Sequence, residues 1–149
     1  MRPVAKLTIV LVALGLLWGE VAYSCSRPPD SEDYHRTVVQ VADSAHNATR
    51  TGWLTGRQKL AGQVFDTFAS AAFDDATKAL AGASKQFAEQ GPPDERSAAL
   101  RDELSPLVED AVRWLGSAAQ AQDDEALRTA VEALGALADR VEAFIEANQ

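Results

Sequence analysis

The chain contains little cysteine, histidine or methionine. Among 149 residues, Cys25 is the single cysteine, Met1 is the single methionine, and His35 and His46 are the two histidines. One cysteine excludes a disulfide within the chain, and the Cys-x-x-Cys-His motif for haem attachment is absent. The fold must therefore be held together by side-chain packing.

Runs of β-branched and aromatic residues are also missing, which argues against β-strands. Alanine occurs 28 times and leucine 15 times, and alanine has the highest intrinsic helix propensity. All six prolines lie at or before Pro106. The composition predicts an all-α protein.

Basic residues are outnumbered throughout the chain, with 14 lysines and arginines against 22 acids. Without residues 1–24 the numbers are 12 and 21, a net charge of −9. Such a surface repels phosphate backbones and anionic headgroups. We expect no nucleic-acid partner, and membrane contact through the N-terminus.

The two histidines are the candidate metal ligands, because each follows an acid by three residues, as Glu32-x-x-His35 and Asp43-x-x-His46. Di-iron bundles use Glu-x-x-His, but from two different helices. Here the histidines are 11 residues apart on one predicted helix, a rise of about 16 Å. They cannot share one ion, so we predict solvated histidines and no cofactor.

No catalytic residue is identified either, because nucleophilic catalysis needs a base held beside the nucleophile. Ser44 and His46 on one helical turn do not provide that geometry.

The N-terminus has the pattern of a secretory signal. Arg2 and Lys6 precede the apolar run LTIVLVALGLLW, residues 7–18, as a basic region precedes the apolar region of a signal peptide. A spanning helix needs about 20 apolar residues, so a retained anchor must extend to Tyr23 and include Glu20. Residues 1–24 are interpreted as a signal peptide or a membrane anchor, and the protein as exported.

Cys25 is the candidate lipidation site. Ala22-Tyr23-Ser24-Cys25 resembles a bacterial lipoprotein signal at Ser24 and Cys25, but Ala22 stands where leucine is usual, and Tyr23 is large. The resemblance implies cleavage before an acylated Cys25. The same residues fit an Ala-x-Ser site for ordinary signal peptidase. A lipid anchor, a retained N-terminal anchor and a soluble secreted form all remain open.

After a linker at residues 25–31, residues 32–149 are predicted to form a helical bundle. The first helix should end near Thr49, and Gly52 and Gly56 should interrupt it. The second should run from about Thr55 to Gln90, the third should follow the break at Gly91-Pro92-Pro93-Asp94, and the fourth should follow a turn at residues 122–124. The expected apolar seams are, in helix order, Tyr34, Val38, Val41, Ala45 and Ala48; Ala61, Phe65, Phe68, Ala72, Ala76, Ala79, Ala83 and Phe87; Leu100, Leu104, Leu107, Ala111, Leu115 and Ala118; and Leu127, Val131, Leu134, Ala138, Val141 and Ile145.

Short connections between long helices make neighbours antiparallel. The sequence therefore predicts an up-down antiparallel four-helix bundle preceded by an N-terminal signal or anchor helix. Trp53, in the predicted break, is interpreted as a lid over the bundle end or a partner contact. Trp114 is interpreted as a core residue or a partner contact.

These patterns favour an exported, membrane-tethered module of the bacterial envelope, which would lie in the periplasm or on the outer face of the cell membrane. We expect this module to bind another envelope protein or a small ligand. The alternative is a metal- or cofactor-handling bundle, and the third hypothesis is an enzyme of unrecognised type. The oligomeric state stays open, because an alanine-rich seam can close within one chain or between two.

Overall fold

A computed structural model describes residues 30–148 of the chain. The predicted signal or anchor at residues 1–24, Cys25 and nearly all of the predicted linker lie outside this range. Within it the protein is all-helical, with four helices and no strand, consistent with a four-helix bundle. The helices are α1 (Ser31–Leu60), α2 (Asp66–Glu89), α3 (Glu95–Ala119) and α4 (Asp124–Ala147). None of these four is apolar over a stretch long enough to cross a bilayer.

An aspartate occupies the N-cap position of three of the four helices. The Asp94 carboxylate accepts a hydrogen bond from the Ser97 backbone N–H at 2.7 Å, and Asp123 accepts one from Ala126 at 2.7 Å. Asp30 caps α1 by accepting a hydrogen bond from the N–H of the adjacent Ser31 at 2.9 Å. Each cap satisfies a backbone donor that has no partner inside the helix. Helix α2 differs, because Phe65 stands at its N-cap and supplies no side-chain hydrogen bond.

Contacts at the two ends of α1 show how it runs against α2. Near its start, the Tyr34 ring lies 6.0 Å from the Phe87 ring at the end of α2. Near its end, Lys59 Nζ lies 3.4 Å from Asp66 at the start of α2. The two helices are therefore antiparallel.

The remaining helices follow the same alternation. Ser31 Oγ donates a hydrogen bond to the Asp94 carboxylate at 2.5 Å, so α1 and α3 begin at the same end. We call this the proximal end, and the end that carries Leu60 and Asp66 the distal end. The α1 helix of 30 residues separates them by about 45 Å.

Three of the predicted seams are confirmed. Every seam residue expected in the first, third and fourth helices is buried, at 9% exposure or less. All of them except Ala138 belong to one continuous core, to which α2 contributes Ala69, Phe73, Ala76, Leu80 and Phe87. In α1, α3 and α4 the heptad spacing identifies the inward face correctly.

The predicted end of the first helix is wrong, because α1 continues through Gly52 and Gly56 to Leu60. Both glycines are buried and lie against neighbouring helices. A Cβ on Gly52 would lie 2.5 Å from Leu115 Cδ2, and one on Gly56 would overlap Val131 Cγ2. These glycines permit close helix packing and do not mark a turn. The connection to α2 lies instead at residues 61–65, where Gly62 adopts φ +68°.

The predicted seam of the second helix is also wrong in part. Ala76 and Phe87 are buried as expected, but Phe65 is 86% exposed and Phe68 is 58% exposed. The inward face is rotated toward Ala69, Phe73 and Leu80. Alanines lie on both sides of α2, so spacing alone does not identify the side that packs.

We predict that Gly56→Ala destabilises the bundle by about 1–3 kcal/mol, because the added methyl group overpacks a filled core. Gly116→Ala is the matched control, since a Cβ there meets nothing within 4 Å. The control should be neutral or stabilising by up to about 1 kcal/mol through helix propensity. Urea unfolding of both variants measures the effect, and equal stabilities would mean that α1 packs differently.

Candidate partner-binding surface

One flank of α2, beside its buried face, carries an apolar stripe. Its members are Phe65, Phe68, Ala72, Ala79 and Ala83, which fall within an arc of about 60° on a helix with 3.6 residues per turn. Phe65, Phe68 and Ala79 are exposed, Ala72 is half-buried, and Ala83 is half-buried and packs against the core. We call these five residues the α2 stripe. Its aromatic end lies at the distal end of the bundle, and its opposite half contains small residues alone.

Gly82 borders the small-residue half of the stripe. A Cβ placed on Gly82 meets nothing within 4 Å, so no packing contact requires this glycine. An interior glycine costs roughly 0.5–1 kcal/mol relative to alanine in a helix. The result is a shallow surface beside Ala79 and Ala83 that a large side chain could cover.

Asp75 lies at one edge of the stripe, and Lys78 lies about 60° farther around the helix. Both are exposed, and within residues 30–148 neither forms an ion pair. By contrast, Asp66 pairs with Lys59, and Lys85 Nζ lies 4.0 Å from Glu89. Asp75 and Lys78 are therefore available to a partner on this side of α2.

Trp53 does not lie in an interhelical break, as the sequence suggested, because it is within α1. The indole is half-buried against α4, where a Cβ on Gly135 would lie 3.0 Å from Trp53 Cδ1. The guanidinium groups of Arg50 and Arg57 lie 5.4 and 4.8 Å from the ring centroid. Contacts within the bundle thus account for much of this ring, and the lid interpretation is wrong.

Trp114 is half-buried on α3 and packs against the core. The Arg113 guanidinium lies 5.6 Å from its ring centroid. Arg113 is held by Asp110 at 2.6 Å, and Arg140 of α4 lies 3.7 Å from the same carboxylate. The predicted core and partner roles of Trp114 are both compatible with a ring that is partly covered.

The structure does not bring the two histidines together. Both lie on α1, and His35 lines a cavity of about 300 Å³ at the proximal end with Ser31, Glu32, Arg96 and Leu100. His46 is half-buried, and its Nε2 has no hydrogen-bond partner among the described residues. Within residues 30–148, no three His, Cys, Asp or Glu side chains are grouped so that they could hold a metal ion.

A polar cluster at the proximal end joins α2 to α3. Arg101 donates hydrogen bonds to the carbonyl oxygens of Gln90 at 3.0 Å and Ala88 at 3.2 Å, and lies 5.7 Å from the Phe87 ring centroid. It thereby satisfies carbonyls that the end of α2 leaves without partners. Tyr34 is fully buried beside this cluster. Burial raises the pKa of its hydroxyl, and the Arg101 charge partly opposes that shift.

Comparison of the chain with models of protein families, with curated proteins and with solved structures finds no match. Cys25, the predicted lipidation site, lies outside the described residues.

Sequence reasoning missed two features of the surface. It placed Phe65 and Phe68 in the core, because their spacing from Ala72 and Ala76 is helical and nothing local indicates the inward side. It also passed over Arg50 and Arg57, although positions three before and four after Trp53 share its helix face. The second feature could have been found from spacing alone.

We predict a pH-dependent contribution from Asp94. Hydrogen bonds from Ser31 and from the Ser97 N–H lower the pKa of this carboxyl below its ordinary value of 3.8. A carboxyl with a depressed folded-state pKa contributes stability above its unfolded pKa and loses it as the pH falls through the folded value. The stability difference between wild type and Asp94→Asn should therefore be fully present above about pH 5 and shrink below about pH 4.

Urea unfolding between pH 2 and pH 7 measures this difference. Ser31→Ala removes the largest cause of the shift, so part of the pH dependence should be lost in that variant. A difference between wild type and Asp94→Asn that is constant with pH would contradict the assignment.

Proposed function

We propose that this protein is an exported, membrane-tethered helical bundle that acts as a protein-interaction module of the bacterial envelope. The bundle contacts its partner through the α2 stripe, and the N-terminal segment carries the signal or anchor. The observation that carries the proposal is the exposure of Phe65 and Phe68, at 86% and 58%, at the start of a helix whose adjoining face is packed in the core.

Export is supported by the N-terminal sequence. A basic start, a 12-residue apolar run and small residues near Cys25 are typical of a signal that directs the following domain out of the cytoplasm. Diacylglycerol on Cys25 would supply two acyl chains, which anchor stably where one chain binds marginally. A tether of about six residues with two prolines would then span nearly 20 Å before α1 begins.

Interaction is supported by the chemistry of the stripe. Large apolar side chains that are exposed together and bordered by polar residues are typical of protein contacts, and aromatic residues are enriched there. The nearby Asp75 and Lys78 add charges that can fix orientation. In contrast, the seams of the bundle contain no charged cluster of the kind that catalysis would require.

We predict that Cys25→Ala leaves the precursor unprocessed or misrouted and that radiolabelled palmitate labels the wild type alone. The reason is that lipoprotein processing requires the cysteine thiol as the site of acylation. Intact mass of the membrane fraction is the measurement. If the mature protein keeps residues 1–24 in both the wild type and the Cys25→Ala variant, a retained anchor would be favoured. Protein found in the medium would favour a secreted form.

The interaction itself is tested by crosslinking in native membranes. The double variant Phe65→Ala and Phe68→Ala should reduce the crosslinked species recovered with the protein at least fivefold, because it removes the apolar contact. Leu54→Ala is the control, since Leu54 is also exposed, at 50%, but lies on α1 outside the stripe. Unchanged recovery in the double variant, with normal circular dichroism, would overturn the proposed surface.

A further inference from the structure

We propose that a buried water molecule binds at the proximal end of the bundle, where it bridges the Tyr34 hydroxyl and Gln90 Oε1 beside the Arg101 guanidinium. The site lies where α1, α2 and α3 meet. It uses neither the α2 stripe nor the N-terminal segment, so the inference goes beyond the proposed function and does not depend on it.

Two buried polar atoms at this end of the bundle have no hydrogen-bond partner within residues 30–148. One is the hydroxyl oxygen of Tyr34, whose side chain is fully buried, and the other is Oε1 of Gln90. A buried polar atom without a hydrogen bond destabilises the fold, and the large majority of such atoms in native proteins are paired with a protein group or an ordered water. Both atoms therefore require a partner.

Contacts of Arg101 and Phe87 bring the two atoms to the same region. The Tyr34 ring lies 6.0 Å from the Phe87 ring, and Gln90 follows Phe87 by three residues. Arg101 Nη1 donates a hydrogen bond to the Gln90 carbonyl oxygen at 3.0 Å. Burial raises the pKa of the Tyr34 hydroxyl and the Arg101 charge opposes that rise, as expected of a guanidinium near the hydroxyl. Tyr34 and Gln90 are thus both neighbours of Arg101.

The direction of the Tyr34 side chain agrees with this placement. Side chains on a helix tilt toward its N-terminus. The Tyr34 hydroxyl therefore extends toward the proximal end of α1, which is the end at which Gln90 forms the C-cap of α2.

Water is the ligand whose chemistry suits this position. Gln90 Oε1 can only accept a hydrogen bond, whereas a tyrosine hydroxyl can donate one, so a bridging water can donate to the first and accept from the second. Arg101 has five N–H donors and uses two groups on the carbonyl oxygens of Ala88 and Gln90. A further N–H can supply the third contact that buried waters usually have. A cation would be repelled by Arg101, and an anion could not bond to Oε1.

Oxygen-17 relaxation dispersion tests the site, because it counts the long-lived waters inside a protein. In the full chain in detergent, Tyr34→Phe and Gln90→Met each remove one partner of the water while keeping the side-chain size. Each should lower the count by one. The double variant should also lower it by one, because both side chains hold the same molecule.

Thr49→Val is the matched control for the loss of a buried hydroxyl. Thr49 is fully buried, and its hydroxyl donates to the carbonyl oxygens of Ala45 and His46, both at 2.9 Å. Protein groups satisfy this hydroxyl, so its removal should leave the water count unchanged.

Urea unfolding of the same variants gives an independent measurement. Tyr34→Phe and Gln90→Met should each raise the unfolding equilibrium constant. The double variant should raise it by a factor at least about twofold smaller than the product of the two, because residues that share a partner are not additive.

Three results would contradict the proposal. An unchanged water count in both single variants would overturn it, even if the two substitutions are coupled in stability, because a direct hydrogen bond would then join the two side chains. A loss of two waters in the double variant would mean that each side chain holds its own water. Additive effects on unfolding would exclude a shared bridge.

Discussion

The close approach of α1 to its neighbours at Gly52 and Gly56 is the constraint on which the rest of the bundle depends. Because these two residues have no side chain, Leu115 of α3 and Leu134 and Val131 of α4 pack directly against the backbone of α1. Alanines at positions 42, 45 and 48 extend the same small surface toward the proximal end. Helix α1 thus contacts all three other helices, and the core residues of these helices pack against it.

This central position of α1 explains why α2 keeps an open side. The backbones of α1 and α3 approach each other across the bundle, whereas the backbones of α2 and α4 do not come close. Each of these two therefore buries one face against α1 and α3. The seam of α4 lies on one side of that helix. In α2 the exposed Phe65 and Phe68 lie on the flank next to the buried face, and they stay uncovered.

Predictions from the sequence were correct where a pattern had a single structural interpretation. The break at Gly91-Pro92-Pro93-Asp94, the turn at residues 122–124 and the seams of α3 and α4 follow from residue type and heptad spacing. The boundary between α1 and α2 was not predictable in this way, because Gly52 and Gly56 fit a turn or a close helix contact equally well. The difference depends on Val131 and Leu115, which are distant in sequence. For the same reason, exposure of Phe65 and Phe68 could not be recognised before the packing was known.

The magnitudes indicate how strong a contact at the exposed phenylalanines could be. Burying a phenylalanine is worth about 1.5–3 kcal/mol, so Phe65 and Phe68 together supply at most about 3–6 kcal/mol. Association costs roughly 4–15 kcal/mol in lost freedom, so these two side chains alone give a weak contact in dilute solution. A membrane tether would change the balance, because holding the bundle and its partner at one surface raises their effective concentration. The tether and the stripe would therefore be coupled, since a contact too weak for free molecules can suffice for anchored ones.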